Sequence, residues 1–158
     1  MPGAIDRLRA LSRPDGAPGP TATGMDGRDS GDAGARDAAV VLAATDPAQP
    51  YGAALRWPDP VGATKHRPAR KAGALAVLVD GGPALYVERG GRSLLSFTED
   101  DDALRAAAAG LARAVHDGWL GSLAVERADG EGALGSRLAD VLREAGFRVT
   151  PKGLRLRA

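Results

Sequence analysis

Cysteine is absent from this chain of 158 residues. That excludes a disulfide framework, a thiolate metal centre and a cysteine nucleophile. Histidine is nearly absent: His66 and His116 are the only two, and neither has a spaced partner with which to hold zinc. Lysine occurs only at Lys65, Lys71 and Lys152, none of them after a glycine, so there is no P-loop for the phosphates of a nucleotide. Without one, Val77-Leu78-Val79-Asp80 reads as a strand running into a hairpin turn, not as the magnesium-binding strand of an ATPase. G-x-S-x-G is missing as well. His116 and Asp117 are neighbours in a helical stretch and do not face each other. No catalytic constellation emerges. No segment approaches the roughly 18 consecutive apolar residues of a membrane helix, and the N-terminus has no apolar leader. The expectation is a soluble, cytoplasmic protein with no membrane contact.

The basic residues other than those three lysines are arginines, and Ala and Gly are abundant, a composition that suggests a GC-rich bacterial genome. Formal net charge is +1, too small for a global field, but the charge is unevenly placed. Residues 1–50 hold five Arg against seven Asp, whereas residues 51–158 hold sixteen Lys/Arg against thirteen Asp/Glu. The length allows one ordinary domain and some excess.

Ile5, Leu8 and Leu11 have helical spacing, and residues 1–12 read as the last turns of a helix from an upstream domain. Residues 13–36 include nine Gly or Pro among 24. Such a segment buries too little apolar surface to offset its ordering entropy and is expected to be a disordered linker. Residues 37–158 form the expected domain. Its centre is Lys71–Phe97, in which Asp80-Gly81-Gly82-Pro83 and Gly90-Gly91 cut an apolar run into a three-stranded antiparallel meander. Before it lie a short apolar strand or helix start over Ala38–Ala44 and a turn-rich loop containing Tyr51 and Trp57. After it, Thr98 and Asp101 have capping-box spacing ahead of a helix with Leu104, Leu111 and Val115 inside, stopped at Gly118. The four acids Glu99–Asp102 read as a helix start, since no second cluster completes a metal shell. A strand over Ser122–Glu126, a turn at Asp129-Gly130, a second helix over Leu134–Ala145 and two strands over Phe147–Thr150 and Leu154–Arg157 complete the order. The class is α+β: an antiparallel curved sheet or partial β-barrel with two packed helices, in the order β-βββ-α-β-α-ββ.

The clearest polar cluster is the loop Pro60–Lys71, where Lys65, His66, Arg67, Arg70 and Lys71 fall together. Arg89 and Arg92 flank the Gly-Gly turn. Arginines and lysines on a loop fed by a buried strand suit a phosphate backbone, and they equally suit a solvated surface. Arg148, Lys152, Arg155 and Arg157 make the tail basic, with one strand face positively charged.

Taken together, ATDPAQPYGAALRWP (Ala44–Pro58), HRPARKAGALAVLVDGGPALYVERGGRSLLSF (His66–Phe97) and GALGSRLADVLREAGFRVTPKGLRLR (Gly132–Arg157) resemble the C-terminal region of bacterial Lhr-type proteins, the large helicase-related ATP-dependent DNA helicases. Pro2–Leu11 resembles the segment just before that module, so the chain reads as a fragment lacking the helicase core. The resemblance implies a parent that hydrolyses ATP with magnesium and acts on single-stranded DNA in repair. Its motor motifs have no counterpart here, so no cofactor is expected in this chain. The resemblance also implies similarity to AlkZ-type glycosylases, whose Gln-x-Gln motif cannot be assigned because Gln49 is the only glutamine.

The resulting expectation is an accessory DNA-binding module, with Lys65, Arg67, Arg70, Lys71, Arg89 and Arg92 on phosphates and Trp57 or Tyr51 stacking. Its partners would be DNA (single strands or repair intermediates) and the upstream helicase and winged-helix domains. The alternatives are a structural or oligomerisation module, in which Trp57 and Trp119 face protein and a homo-oligomer forms, and a glycosylase-like barrel using an acid such as Asp46.

Overall fold

The computed structural model describes residues 39–62 and 64–158. The expected helix over 1–12, the linker over 13–36 and the first two residues of the expected domain lie outside them. Nine strands and two α-helices follow: β1 (Val40–Ala43), β2 (Leu75–Val79), β3 (Gly82–Val87), β4 (Ser93–Ser96), α1 (Asp101–His116), β5 (Leu123–Val125), β6 (Arg127–Ala128), β7 (Glu131–Gly132), α2 (Leu138–Glu144), β8 (Arg148–Thr150) and β9 (Gly153–Leu156). A 3₁₀ turn over Ala133–Gly135 precedes α2.

The meander forms as its turn chemistry dictates. Asp80 and Gly81 have φ of 51° and 78°, both positive as a two-residue hairpin of the I′ type requires. Gly90 and Gly91, also at positive φ, turn β3 into β4. The β2–β3 register slips between Val77 and Leu78, where Leu78 faces Pro83; proline has no N–H to give the ladder. β1 adds antiparallel to β2, which resolves the apolar stretch before the loop as a strand. A second Asp-Gly turn, Asp129 (φ 51°) and Gly130 (φ 90°), closes the small hairpin β6–β7. β6 then lies parallel to β4, the one departure from antiparallel pairing among the described strands.

The strand order is β1-β2-β3-β4-β6-β7, with a separate three-stranded sheet β5-β9-β8. The larger sheet stays open, with β1 and β7 at its edges, and does not close into a barrel. The α+β class and the two helices match the sequence reading. The hairpin β6–β7 is additional to it, because strands of two residues carry no periodicity.

Both sheets and both helices share one core. Val77, Leu85, Val87 and Leu94 from the large sheet meet Leu104, Leu111 and Val115 of α1, Leu138 and Leu142 of α2, and Leu154 and Leu156 of β9. The cap of α1 is Asp100, whose carboxylate accepts from the Asp102 N–H. Thr98 instead accepts from the Asp100 N–H, so the expected Thr98 capping box is corrected by two residues. Gly118 ends the helix at φ 76°. Leu134, expected on α2, lies in the 3₁₀ turn and is exposed.

The opposite face of the large sheet carries no helix among the described residues. The loop of residues 44–74 covers it, around a second cluster of Ala44, Ala74, Tyr86 and Leu95 with Trp57 and Phe97 packed on it. Loop and sheet together position the candidate site.

Candidate nucleic-acid interface

The basic loop is tied down along its length. Val61 N–H donates to Ser96 O at 2.8 Å. Thr64 lies against Gly130, where a Cβ would come within 3.1 Å of its own. Tyr86 Oη donates to Ala69 O at 3.0 Å, and burial raises the phenol above its ordinary pKa despite that bond.

The charges separate into groups with different surroundings. Lys71 and His66 both meet Glu88, at 3.6 Å for Lys71, and Arg89 follows Glu88 directly at the β3–β4 turn, its stem over Gly73. Arg92, on the same turn, stands 3.8 Å from Glu126. Arg67 pairs with Asp59 at 3.1 Å. In the Lys71, Arg92 and Arg67 pairs the basic member is more than half exposed, and such pairs hold a side chain weakly. Lys65 and Arg89 make no ion pair with another described residue. So His66, Lys71, Arg89 and Arg92 converge on one end of the sheet. In sequence the loop contains no acid between Lys65 and Lys71; in space Glu88 and Asp59 supply it.

Arg70 has a different task. Its guanidinium donates to the carbonyls of Gln49 (2.6 Å), Thr45 (3.1 Å) and Asp46 (3.2 Å), which clamps the preceding loop. The guanidinium is thereby spent on backbone carbonyls and not on a carboxylate. The clamp continues through Gln49, fully buried, whose Nε2 donates to Ala44 O (3.2 Å) and Tyr51 O (2.9 Å) and whose Oε1 accepts from Tyr51 N–H. In sequence Gln49 is only half of a missing motif. A lone polar residue inside a Pro-rich turn gives no signal of burial.

Trp57 and Tyr51, the expected stacking residues, are half-buried. Phe97 stacks on the indole, Tyr86 meets it edge-on and Tyr51 lies tilted beside it, each with centroids 5.6 Å away. Trp57 Nε1 is buried without a partner. Tyr51 Oη donates to Gly81 O at 3.2 Å. Trp119, by contrast, is 73% exposed.

Beside the loop a cavity of about 330 Å³ is lined by Lys65, His66, Ser93 and Arg127 among others. Arg127 has no signal in the sequence, since β6 is too short to announce itself. A smaller cavity of about 190 Å³ contains Ser96, Asp129, Glu131 and Arg137. There the Asp129 carboxylate accepts from Ser96 N–H and from Ser96 Oγ, both at 2.7 Å. Burial raises Asp129 above the ordinary carboxylate pKa, the two Ser96 bonds oppose this, and Glu131 adds to it. Asp46 accepts from Ala48 N–H at 2.8 Å as a turn residue. Among the described residues no group of three or more His, Asp or Glu could hold a metal ion, and no helix is long and apolar enough to cross a membrane.

Comparison with known proteins gives one relationship to report. The chain is 56% identical over 126 residues, 75% of its length, to a protein of Mycolicibacterium smegmatis named "Lhr helicase/ probable uracil glycosylase". It spans only 8% of the length of that relative. No family model matches the chain.

Proposed function

From its 56% identity to one segment of a protein named as an Lhr helicase, we propose that this chain is an accessory DNA-binding module of a large ATP-dependent DNA helicase acting in repair. The relationship to the M. smegmatis protein carries the reading. Supporting it is the convergence of Lys71, Arg89 and Arg92 at the β3–β4 turn, with Lys65 and Arg127 on the neighbouring cavity. Exposed cations on a loop bonded to a sheet hold phosphates in a fixed register without reading bases. Arg67 extends this surface. Arg70 acts on it indirectly, by fixing the turn beneath, and Tyr51 and Trp57 support the same loop through their packing. ATP and magnesium belong, on this reading, to the motor of the longer protein, and the partners are single-stranded DNA or repair intermediates and the upstream helicase and winged-helix domains.

The test is a fluorescence-anisotropy titration of the chain with a single-stranded oligonucleotide across salt concentrations. Charge reversal at Lys65, Arg89 and Arg92, all exposed, should weaken binding and flatten the salt dependence by about 0.7 for each phosphate no longer neutralised. An unchanged slope would remove the surface from the account. Arg70 is unsuitable for this purpose, because its loss would release the turn at residues 45–49.

A second reading has its own motive. The relative's name includes a probable uracil glycosylase, and Asp129, half-buried beside a cavity, is the one acid among the described residues with a raised pKa. Asp129 therefore replaces the turn residue Asp46 as the acid such a barrel-free module would use. Release of uracil from a uracil-containing single strand, lost in Asp129→Asn, would establish it; uncut DNA after alkali treatment would dispose of it.

A further inference from the structure

The largest cavity described, about 580 Å³, lies on the small sheet and not at the basic loop, with Arg148, Arg155, Arg157, His116 and Thr150 on its walls. None of its three arginines makes an ion pair with another described residue, whereas Arg67 and Lys71 of the loop and Arg92 of the β3–β4 turn do. Arg148 and Arg155 are Cα partners across β8 and β9. Directly opposed side chains share one sheet face, and like charges so placed repel. On its other side Arg155 faces Ala124 of β5, a neighbour too small to hold the guanidinium. Its Nε is buried and has no hydrogen-bond partner, a position that costs free energy unless something accepts from it. Arg157 follows just past the end of β9, two residues on from Arg155, and lines the same cavity. Among the described residues no acidic side chain lines the cavity.

A cross-strand pair of unpaired arginines, a third beside them and an unsatisfied guanidinium donor are what a shared anion would stabilise. Guanidinium forks match phosphate oxygens in pairs, and the cavity has the size of ordinary small-ligand sites. We infer that Arg148, Arg155 and Arg157 form a phosphate-binding site on the β8–β9 face, separate from the basic loop. Resting on the reading above, its occupant is a phosphate of the bound DNA strand, so that the strand is held at two places on the module.

The test uses the whole chain with two probes, pyrophosphate and single-stranded oligothymidylate. The variant is Arg148→Gln/Arg157→Gln, both positions exposed and outside the core, with circular dichroism as the folding control; Arg148→Lys/Arg157→Lys keeps the charge without the fork. Expected are pyrophosphate binding by the wild type, at least tenfold weaker binding by the Gln variant with partial recovery in the Lys variant, and a DNA salt slope reduced by about 1.4, or about 0.7 for each of two phosphates. If pyrophosphate is not bound, or is bound equally by the Gln variant, the site is overturned whatever the DNA does. If pyrophosphate binding depends on the arginines but no form binds DNA, the site stands as one for a free phosphate and the DNA-binding reading fails. If DNA is bound with an unchanged slope in the Gln variant, the assignment to the strand is overturned.

Discussion

Asp129 shows how one side chain sets both a turn and a cavity wall. At φ 51° it occupies the left-handed region, and its carboxylate ties β6–β7 to Ser96 of β4. Because burial raises its pKa, the folded state favours the protonated acid. Its stabilising contribution is therefore complete below the unfolded pKa of about 3.9 and is lost as pH rises through the higher folded value. Asparagine tolerates positive φ, suits an Asn-Gly I′ turn and cannot ionise. Asp129→Asn should thus be at least as stable as the wild type at pH 7, with the advantage shrinking toward pH 4. Asp129→Ala, which removes both bonds to Ser96, should lose about 2 kcal/mol. Urea melts of the three proteins at several pH values check this; an Asn variant that melts like the Ala variant at pH 7 contradicts it. The Asp129-Gly130 pair is legible in the sequence as a turn. Its bonds to Ser96, 33 residues away, are not, because they depend on the parallel crossing of β6 beside β4.

Among the elements, α1 and β1 make a close approach. Gly110 lies within the helix, and a Cβ there would come 2.8 Å from the Cβ of Ala39, just before β1. Replacing a helical glycine with alanine ordinarily gains about 1 kcal/mol. Here the added methyl must push β1 off the helix, and overpacking of this kind costs about 1–3 kcal/mol. Gly110→Ala is expected to be net destabilising by about 1 kcal/mol, and a raised melting temperature would show that β1 moves freely. The meander, α1 and the terminal strands can be read from turn residues and periodicity alone. The capping residue cannot be separated from its neighbours in that way, since Thr98 and Asp100 both carry suitable oxygens. The surface role of the basic loop is only partly legible: clustering along the chain gives the cations, but the acids that face them, Glu88 and Asp59, come from elsewhere on the chain. Arg70 belongs to the cluster by sequence, but its guanidinium is taken up by the carbonyls of residues 45, 46 and 49, which no local pattern announces.

At the scale of the whole molecule, one core joins an open six-stranded sheet, two helices and a small three-stranded sheet, and the cations proposed to meet phosphates belong to two sets of elements, the basic loop with the β3–β4 turn and the small sheet. Arg67, Lys71 and Arg92 are held in weak pairs that a polyanion can displace, while Arg148, Arg155 and Arg157 have no ion-pair partner among the described residues. The sequence similarity spans 8% of a much longer protein, and the role proposed for the chain is an accessory one. The direct test of that role is the salt dependence of single-stranded DNA binding by the unmodified chain. The account predicts measurable affinity at low salt that falls linearly in log–log form, with a slope of about −3 or steeper for the four or more phosphates proposed to be neutralised, at about 0.7 each. No binding at low ionic strength, or binding indifferent to salt, would contradict it.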